Sequence, residues 1–267
     1  MSADRLPQRL REILPPDTAR AWVMLRDAIP KPAVLYGGTA IAARLFHRVS
    51  RALDFFFETD IDLDRLLADL SSLRPTAIQT HTHDTLNVVF GQTKVQFLKA
   101  TEQTPLQPDD LIAGLRVASL PDLSATKVKV IGDRGELRDY FDLMTIEHQG
   151  GITIEQALVH YRNRYDDTLN LPHIVRALGY LGDVVDDPGL PVHRDVIERF
   201  WHRRQAAVAT HLSQILPGRT THIGGLDTPP VPTPPRGTGS PEAVSEKVWV
   251  EPYQRNGRTV NGYWRRR

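Results

Sequence analysis

The chain has 267 residues, 40% of them apolar and 24% charged, with a net charge of +1 and no cysteine. That length can bury a sizeable core, in one large domain or two small ones, and the composition is that of ordinary soluble proteins. Disulfides and thiolate metal sites are excluded, and no run approaches the roughly 20 apolar residues of a membrane span, so a cytoplasmic protein without a membrane partner is expected.

The first residues, MSADRLPQRLREILPP, mix charges and hold no apolar core, unlike a secretory signal. Residues 17–29 predict a helix, capped by Asp17 or Thr18 and stopped by Pro30, with Trp22, Leu25 and Ile29 on one face. A short buried strand follows at 33–36, a helix at 39–47, a second strand at 53–57 and a helix at 62–73. Residues 76–81, 86–90 and 94–98 are β-like runs, separated by the turn formers His83-Asp84 and Gly91-Gln92. From Pro121 the pattern turns helical, over 123–131, 137–148, 154–165, 172–184 and 194–215. TPPVPTPPRGTGSPE then reads as an extended linker. In the last stretch, KVWVEPYQRNGRTVNGYWRRR, Asn256-Gly257 is a two-residue hairpin signal. The fold class is thus α/β (α+β), a mixed sheet followed by a helical bundle, with a β-hairpin tail. The expected divisions are 1–120, 121–217, a linker at 218–245 and a basic aromatic tail at 246–267.

Two segments carry chemistry. A strand ending in Gly37-Gly38-Thr39 before a helix suits phosphate binding. Glycine lets phosphate approach the backbone, the helix N-terminus offers free N–H donors, and Thr39 adds a hydroxyl; the same pattern also makes a plain tight turn. On the next strand, positions 52 and 54 point to one side, where two carboxylates could share a divalent metal. Here they are Ala52 and Asp54, and only Asp54 can ligate.

The stretch GGTAIAARLFHRVSRALDFFF resembles the signature of AbiEii-type nucleotidyltransferase toxins, a branch of the minimal nucleotidyltransferase superfamily. A second block, PDLSATKVKVIGDRGELRDYFDL at 121–143, places Lys127, Arg134, Arg138, Asp139 and Asp142 on that family's lysine, arginine and acidic positions. The resemblance covers roughly residues 30–215. It implies a nucleotidyltransferase-like fold, with Gly37, Gly38 and Thr39 cradling phosphates and Ser50 and Asp54 bordering metal and nucleotide. Lys127 would contact the triphosphate. Asp142 would be a further acid, with Asp139 its alternative, and Arg48 and Arg134 would bind phosphates or brace the acids. The implied cofactor is Mg²⁺ or Mn²⁺, held at Asp54, and the implied substrate is an NTP. The implied partners are an RNA acceptor, the 3′ end of tRNA in some members, and a cognate antitoxin. The implied role is a toxin of a toxin–antitoxin or phage-defence system that modifies tRNA and blocks translation.

Ala52 departs from the pattern, standing where the family has its first aspartate. A methyl group cannot ligate a cation, so transfer by this chain is expected to be impaired. The rival reading is a catalytically silent member of the fold that binds nucleotide, RNA or protein.

Three other clusters read as structural. Asp60, Asp62 and Asp64 precede a helix and suit its N-terminus. His81-Thr82-His83-Asp84 reads as a polar strand end and turn, and Trp201-His202-Arg203-Arg204 as a solvated helix face that could also contact RNA; the single residue His47 reads as a packing or hydrogen-bonding group. In the tail, Lys247, Arg255, Arg258 and Arg265–Arg267 surround Trp249, Tyr253, Tyr263 and Trp264, a mixture suited to nucleic acid or simply to solubility.

Overall fold

Leu53, Phe55 and Phe57 are fully buried and alternate with Ala52, Asp54 and Phe56, and this period of two makes β2 (Ala52–Phe57) a strand with one apolar face. In the computed structural model, which describes residues 6–215, 247–250, 253–255, 258–260 and 263–266, β2 is the middle strand of a mixed seven-stranded sheet. The other strands are β1 (Val34–Tyr36), β3 (Ala77–His81), β4 (Thr85–Phe90), β5 (Thr93–Lys99), β6 (Asp110–Ile112) and β7 (Leu115–Val117), in the order β3-β4-β5-β2-β1-β7-β6. β2 runs antiparallel to β1 and parallel to β5, while β1 runs parallel to β7. The Phe97 ring from β5 lies 5.4 Å from Phe55 and 6.3 Å from Phe57, knitting the central strands together.

Helices α1 (Gln8–Ile13), α2 (Pro16–Leu25), α3 (Gly37–Leu45) and α4 (Leu63–Ser71) are interleaved with the first strands. After β7 come α5 (Leu120–Arg134), α6 (Leu137–Gly150), α7 (Ile154–Tyr165), α8 (Leu171–Gly179) and α9 (Arg194–Ile215), the helical half. One apolar core runs through both halves, so the expected 120/121 boundary falls inside a continuous core. Residues 1–219 form one compact unit and 220–267 another. In the second unit, β8 (Lys247–Val250) pairs with β11 (Tyr263–Arg266), and β9 (Tyr253–Arg255) pairs with β10 (Arg258–Val260). The expected linker and the Asn256-Gly257 turn lie outside the described residues.

Arg164 on α7 ties the sheet to the helices. Its buried guanidinium donates to Asp122 Oδ1 at 2.5 Å and lies 4.9 Å from the Tyr36 ring centroid. Asp122 also accepts from the backbone N–H groups of Leu106 (2.9 Å) and Gln107 (3.2 Å). A buried charge pair of this kind holds only because hydrogen bonds satisfy the remaining lone pairs.

Four expectations need correction. α1, β6 and β7 escape the hydrophobic pattern because they are only six, three and three residues long. The helix expected over 172–184 ends at Gly179, where the backbone turns extended at Tyr180. The helix expected from Thr39 begins two residues earlier, at Gly37. Trp201 is not on a solvated face: it is fully buried, and its Nε1 donates to the Tyr140 carbonyl at 3.1 Å. Asp62, by contrast, caps α4 by accepting from the Arg65 N–H at 3.0 Å.

Because residues 1–219 hold this core by themselves, a chain ending at residue 219 is expected to melt cooperatively, at the temperature of the full chain. Thermal denaturation followed by circular dichroism checks this; a broad or absent transition would make the tail part of the fold.

Candidate functional site

The β1–α3 junction needs both its glycines. Gly37 has φ +70°, in the left-handed region, and a Cβ there would lie 2.2 Å from Asp54 Oδ2. A Cβ on Gly38 would lie 2.3 Å from Arg48 Nη2. The N-terminus of α3 is therefore packed directly against a carboxylate on one residue and a guanidinium on the next.

A cleft of about 580 Å³ opens at this junction. Of the residues expected to act, Gly37, Gly38, Arg48, Ser50, Asp54, Lys127, Arg134 and Asp139 line it, and so does Ala52. β2 presents Ala52 and Asp54 to the cleft while Leu53 faces the core, as the alternation requires. Thr39 and Asp142 lie behind the lining. The Thr39 side chain is buried, and its hydroxyl bridges Ser50 Oγ (2.7 Å) and the Ala52 carbonyl, fixing the start of β2 against α3.

Asp142 is fully buried and surrounded by cations. Arg48 grips it with both arms of its fork, Nε at 2.6 Å and Nη2 at 2.8 Å, and Lys127 Nζ lies 2.8 Å from its Oδ2. His47 Nε2 completes the shell at 2.7 Å, with its ring stacked on Phe141. Burial alone would raise the Asp142 pKa, but Lys127 and Arg48 outweigh it and hold the carboxyl far below the usual carboxylate range. Burial likewise works against the Lys127 charge, yet Asp142 and Asp139 raise its pKa above the ordinary lysine value. Asp139 takes Lys127 Nζ at 2.7 Å and, through its other oxygen, the Glu136 N–H at 2.9 Å, closing a capping box on α6.

Asp54 is the contrast. Among the described residues it has no hydrogen-bond donor and no ion-pair contact. Burial pushes its pKa up, and the attraction of Lys127 and Arg138 only partly offsets this. A carboxylate held this way binds protons readily and is available to a ligand.

The cleft also holds residues without a motif. Lys94 and Gln96 on β5 lie opposite Ala52 and Asp54 in the parallel register, and both line the cleft, as do Arg51 and Asp187. The only sequence signal for Lys94 and Gln96 is their alternation with buried Val95 and Phe97. Assigning them to the cleft requires the β2–β5 pairing, which sequence spacing does not supply.

The residues present do not form a divalent-metal site of their own. Asp139 is held by Lys127, Glu136 by Arg138, Asp187 Oδ1 takes the Gly189 N–H, and position 52 offers a methyl group, which leaves Asp54 the one cleft carboxylate without a donor among the described residues. Among the described residues, no three His, Asp or Glu side chains are placed to share a cation.

Comparison with known proteins finds a family and several similar proteins. The model of the family described as "Nucleotidyl transferase AbiEii toxin, Type IV TA system" matches residues 22–183. An uncharacterized protein of Aquifex aeolicus (strain VF5) is 26% identical over 172 residues, covering 62% of this chain and 80% of that protein. Among solved structures, a candidate nucleotidyltransferase from H. pylori aligns at TM-score 0.48 and 18% identity, over 74% of this chain and 95% of that one. The nucleotidyltransferase toxin MenT4 from Mycobacterium tuberculosis H37Rv aligns at TM-score 0.41 and 15% identity, over 80% and 93%.

The two carboxylates predict opposite stability effects. The raised Asp54 pKa means its charge costs stability above that pKa and costs nothing below the unfolded value of about 3.9. Asp54→Asn should therefore raise the melting temperature at pH 7, with the gain fading as pH falls. The lowered Asp142 pKa means stability present above about pH 3.9 and lost as pH falls through the folded value. Asp142→Ala strands Arg48 and Lys127 and should cost about 3–5 kcal/mol at pH 7 in urea unfolding. Equal effects of one sign would refute this assignment.

Proposed function

The chain belongs to the AbiEii nucleotidyltransferase toxin family, and on that premise we propose that its cleft binds a nucleoside triphosphate and passes the nucleotide to an RNA acceptor, the 3′ end of tRNA. The observation that carries this reading is the convergence of Gly37, Gly38, Asp54 and Lys127 on one cleft, although Lys127 is 73 residues beyond Asp54 in sequence. Phosphates would sit over the α3 N-terminus, where backbone N–H groups and the helix dipole favour anions. Lys127, held charged by Asp139 and Asp142, would neutralise charge on the transferring group. The acceptor hydroxyl would attack the α-phosphorus as the bond to the departing pyrophosphate breaks. Asp54, with its raised pKa and no competing donor, would take the hydroxyl proton.

Capping tRNA at that end would stop aminoacylation and translation, the work of the toxin in a toxin–antitoxin or phage-defence pair. A cognate antitoxin is the partner this requires. Among the described residues no helix is long and apolar enough to cross a membrane, and the cytoplasm is where these substrates are found. Mg²⁺ or Mn²⁺ is part of this reading only as a companion of the NTP. Ala52 favours a second reading, a silent nucleotide-binding member that acts through RNA or a protein partner.

Ala52→Asp separates the two. The new carboxylate would project into the cleft beside Asp54, and removing one positioned electrostatic group typically costs roughly 10²–10³ in rate. With Mg²⁺, total tRNA and each labelled NTP, the Ala52→Asp protein should incorporate label at least about 10²-fold faster than the chain with Ala52. No gain would support the silent reading, and full activity with Ala52 would remove the need for that carboxylate.

A further inference from the structure

The β2–β5 register places Lys94 directly across from Ala52, on the neighbouring strand about 4.8 Å away. Both line the cleft, and Lys94 is exposed to it. The place where a metal-binding carboxylate would stand is thus a methyl group flanked by an ammonium ion.

The rest of the cleft extends this charge imbalance. Its basic side chains are Arg48, Arg51, Lys94, Lys127, Arg134 and Arg138. Arg48 and Lys127 are committed to Asp142 and Asp139, and Arg138 pairs with Glu136. Arg51, Lys94 and Arg134 are exposed and have no ion-pair partner among the described residues. Of the acids, Asp139 and Glu136 are paired, and Asp187 Oδ1 accepts the Gly189 N–H at 3.0 Å. Three cations without an ion-pair partner therefore face two such carboxylates, Asp54 and Asp187, and of these only Asp54 also lacks a hydrogen-bond donor among the described residues.

A metal–triphosphate complex carries less negative charge than the free triphosphate and needs carboxylates to receive its cation. A cleft whose unpaired cations outnumber its unpaired carboxylates suits the uncomplexed polyanion better. We propose that this cleft binds the polyphosphate of a nucleoside triphosphate without a divalent cation, with Lys94 beside Ala52 supplying the positive charge a metal would bring. The inference rests on the nucleotide reading of the cleft and goes beyond it, since it separates nucleotide binding from metal.

The test is titration calorimetry on the full chain with ATP, GTP, CTP, UTP and inorganic tripolyphosphate, each in excess EDTA and in excess Mg²⁺. At least one nucleotide should bind in EDTA with a Kd within about twofold of that in Mg²⁺, weakening as salt rises. Lys94→Gln, an exposed change that should leave the melting temperature unaltered, should weaken that binding about tenfold, or 1.4 kcal/mol. Ala52→Asp should place a carboxylate against Lys94, weaken binding in EDTA, and make affinity rise with Mg²⁺. Binding that requires Mg²⁺ in the chain with Ala52 would overturn this inference and leave the nucleotide reading standing, as would undiminished affinity in Lys94→Gln. No binding of any triphosphate in either condition would defeat both. A single-stranded RNA oligonucleotide that binds in EDTA where no nucleotide does would overturn it in favour of a nucleic-acid groove.

Discussion

A single buried carboxylate, Asp142, decides how this cleft is built. Without water it must be surrounded by charge, and it draws His47 and Arg48 from the segment after α3 and Lys127 from α5 onto one point of α6. The arrangement is costly to break, because removing one partner leaves the others buried and uncompensated. It also explains the glycine at position 38. The Arg48 guanidinium, turned inward to reach Asp142, occupies the space a side chain there would need. Lys127 is oriented by the same contact, so its ammonium reaches the cleft with its protonation already secured.

Asp54 lies at the other end of the same design. Its pKa is raised by burial, it lacks donors of its own, and it presses on a glycine whose φ is positive. A carboxyl without donors thus lies where a ligand would bind, while Asp139 and Asp142 are satisfied by their neighbours. Such a division is expected when a fold supports a site: the rigid hub stabilises, and the reactive group is left incomplete.

Much of this was legible in the sequence, for physical reasons. The alternation of β2 announced its two faces, and it set Ala52 and Asp54 side by side. The glycine pair marked the turn from strand to helix, where Gly37 has φ +70°. Lys127 and Asp139 could be assigned to the same cleft only through the family resemblance, since nothing local links α5 and α6 to β2. The resemblance could not tell a free acid from a committed one. Asp142 and Thr39 carry the right chemistry but spend it on His47, Arg48, Lys127 and the start of β2. Lys94 and Gln96 stayed hidden because strand pairing, not spacing, brings them to Ala52 and Asp54. β6 and β7 were hidden by their brevity, and Trp201 by the charged residues that follow it.

The consequence of Ala52 is best seen through the residue across from it. An aspartate at position 52 would face Lys94 on the adjacent strand, and the two charges would largely cancel as a cross-strand pair. With alanine the carboxylate is gone and the lysine is released, so the cleft becomes more positive by more than one lost acid suggests. Those two changes act on different quantities. Free cations strengthen the hold on phosphates in the ground state, which lowers Kd without accelerating any step. In the proposed reaction, the missing carboxylate would remove a group whose value lies in the transition state and so would lower the rate. On the proposed reading, one methyl group would leave a cleft that holds its nucleotide well and uses it poorly.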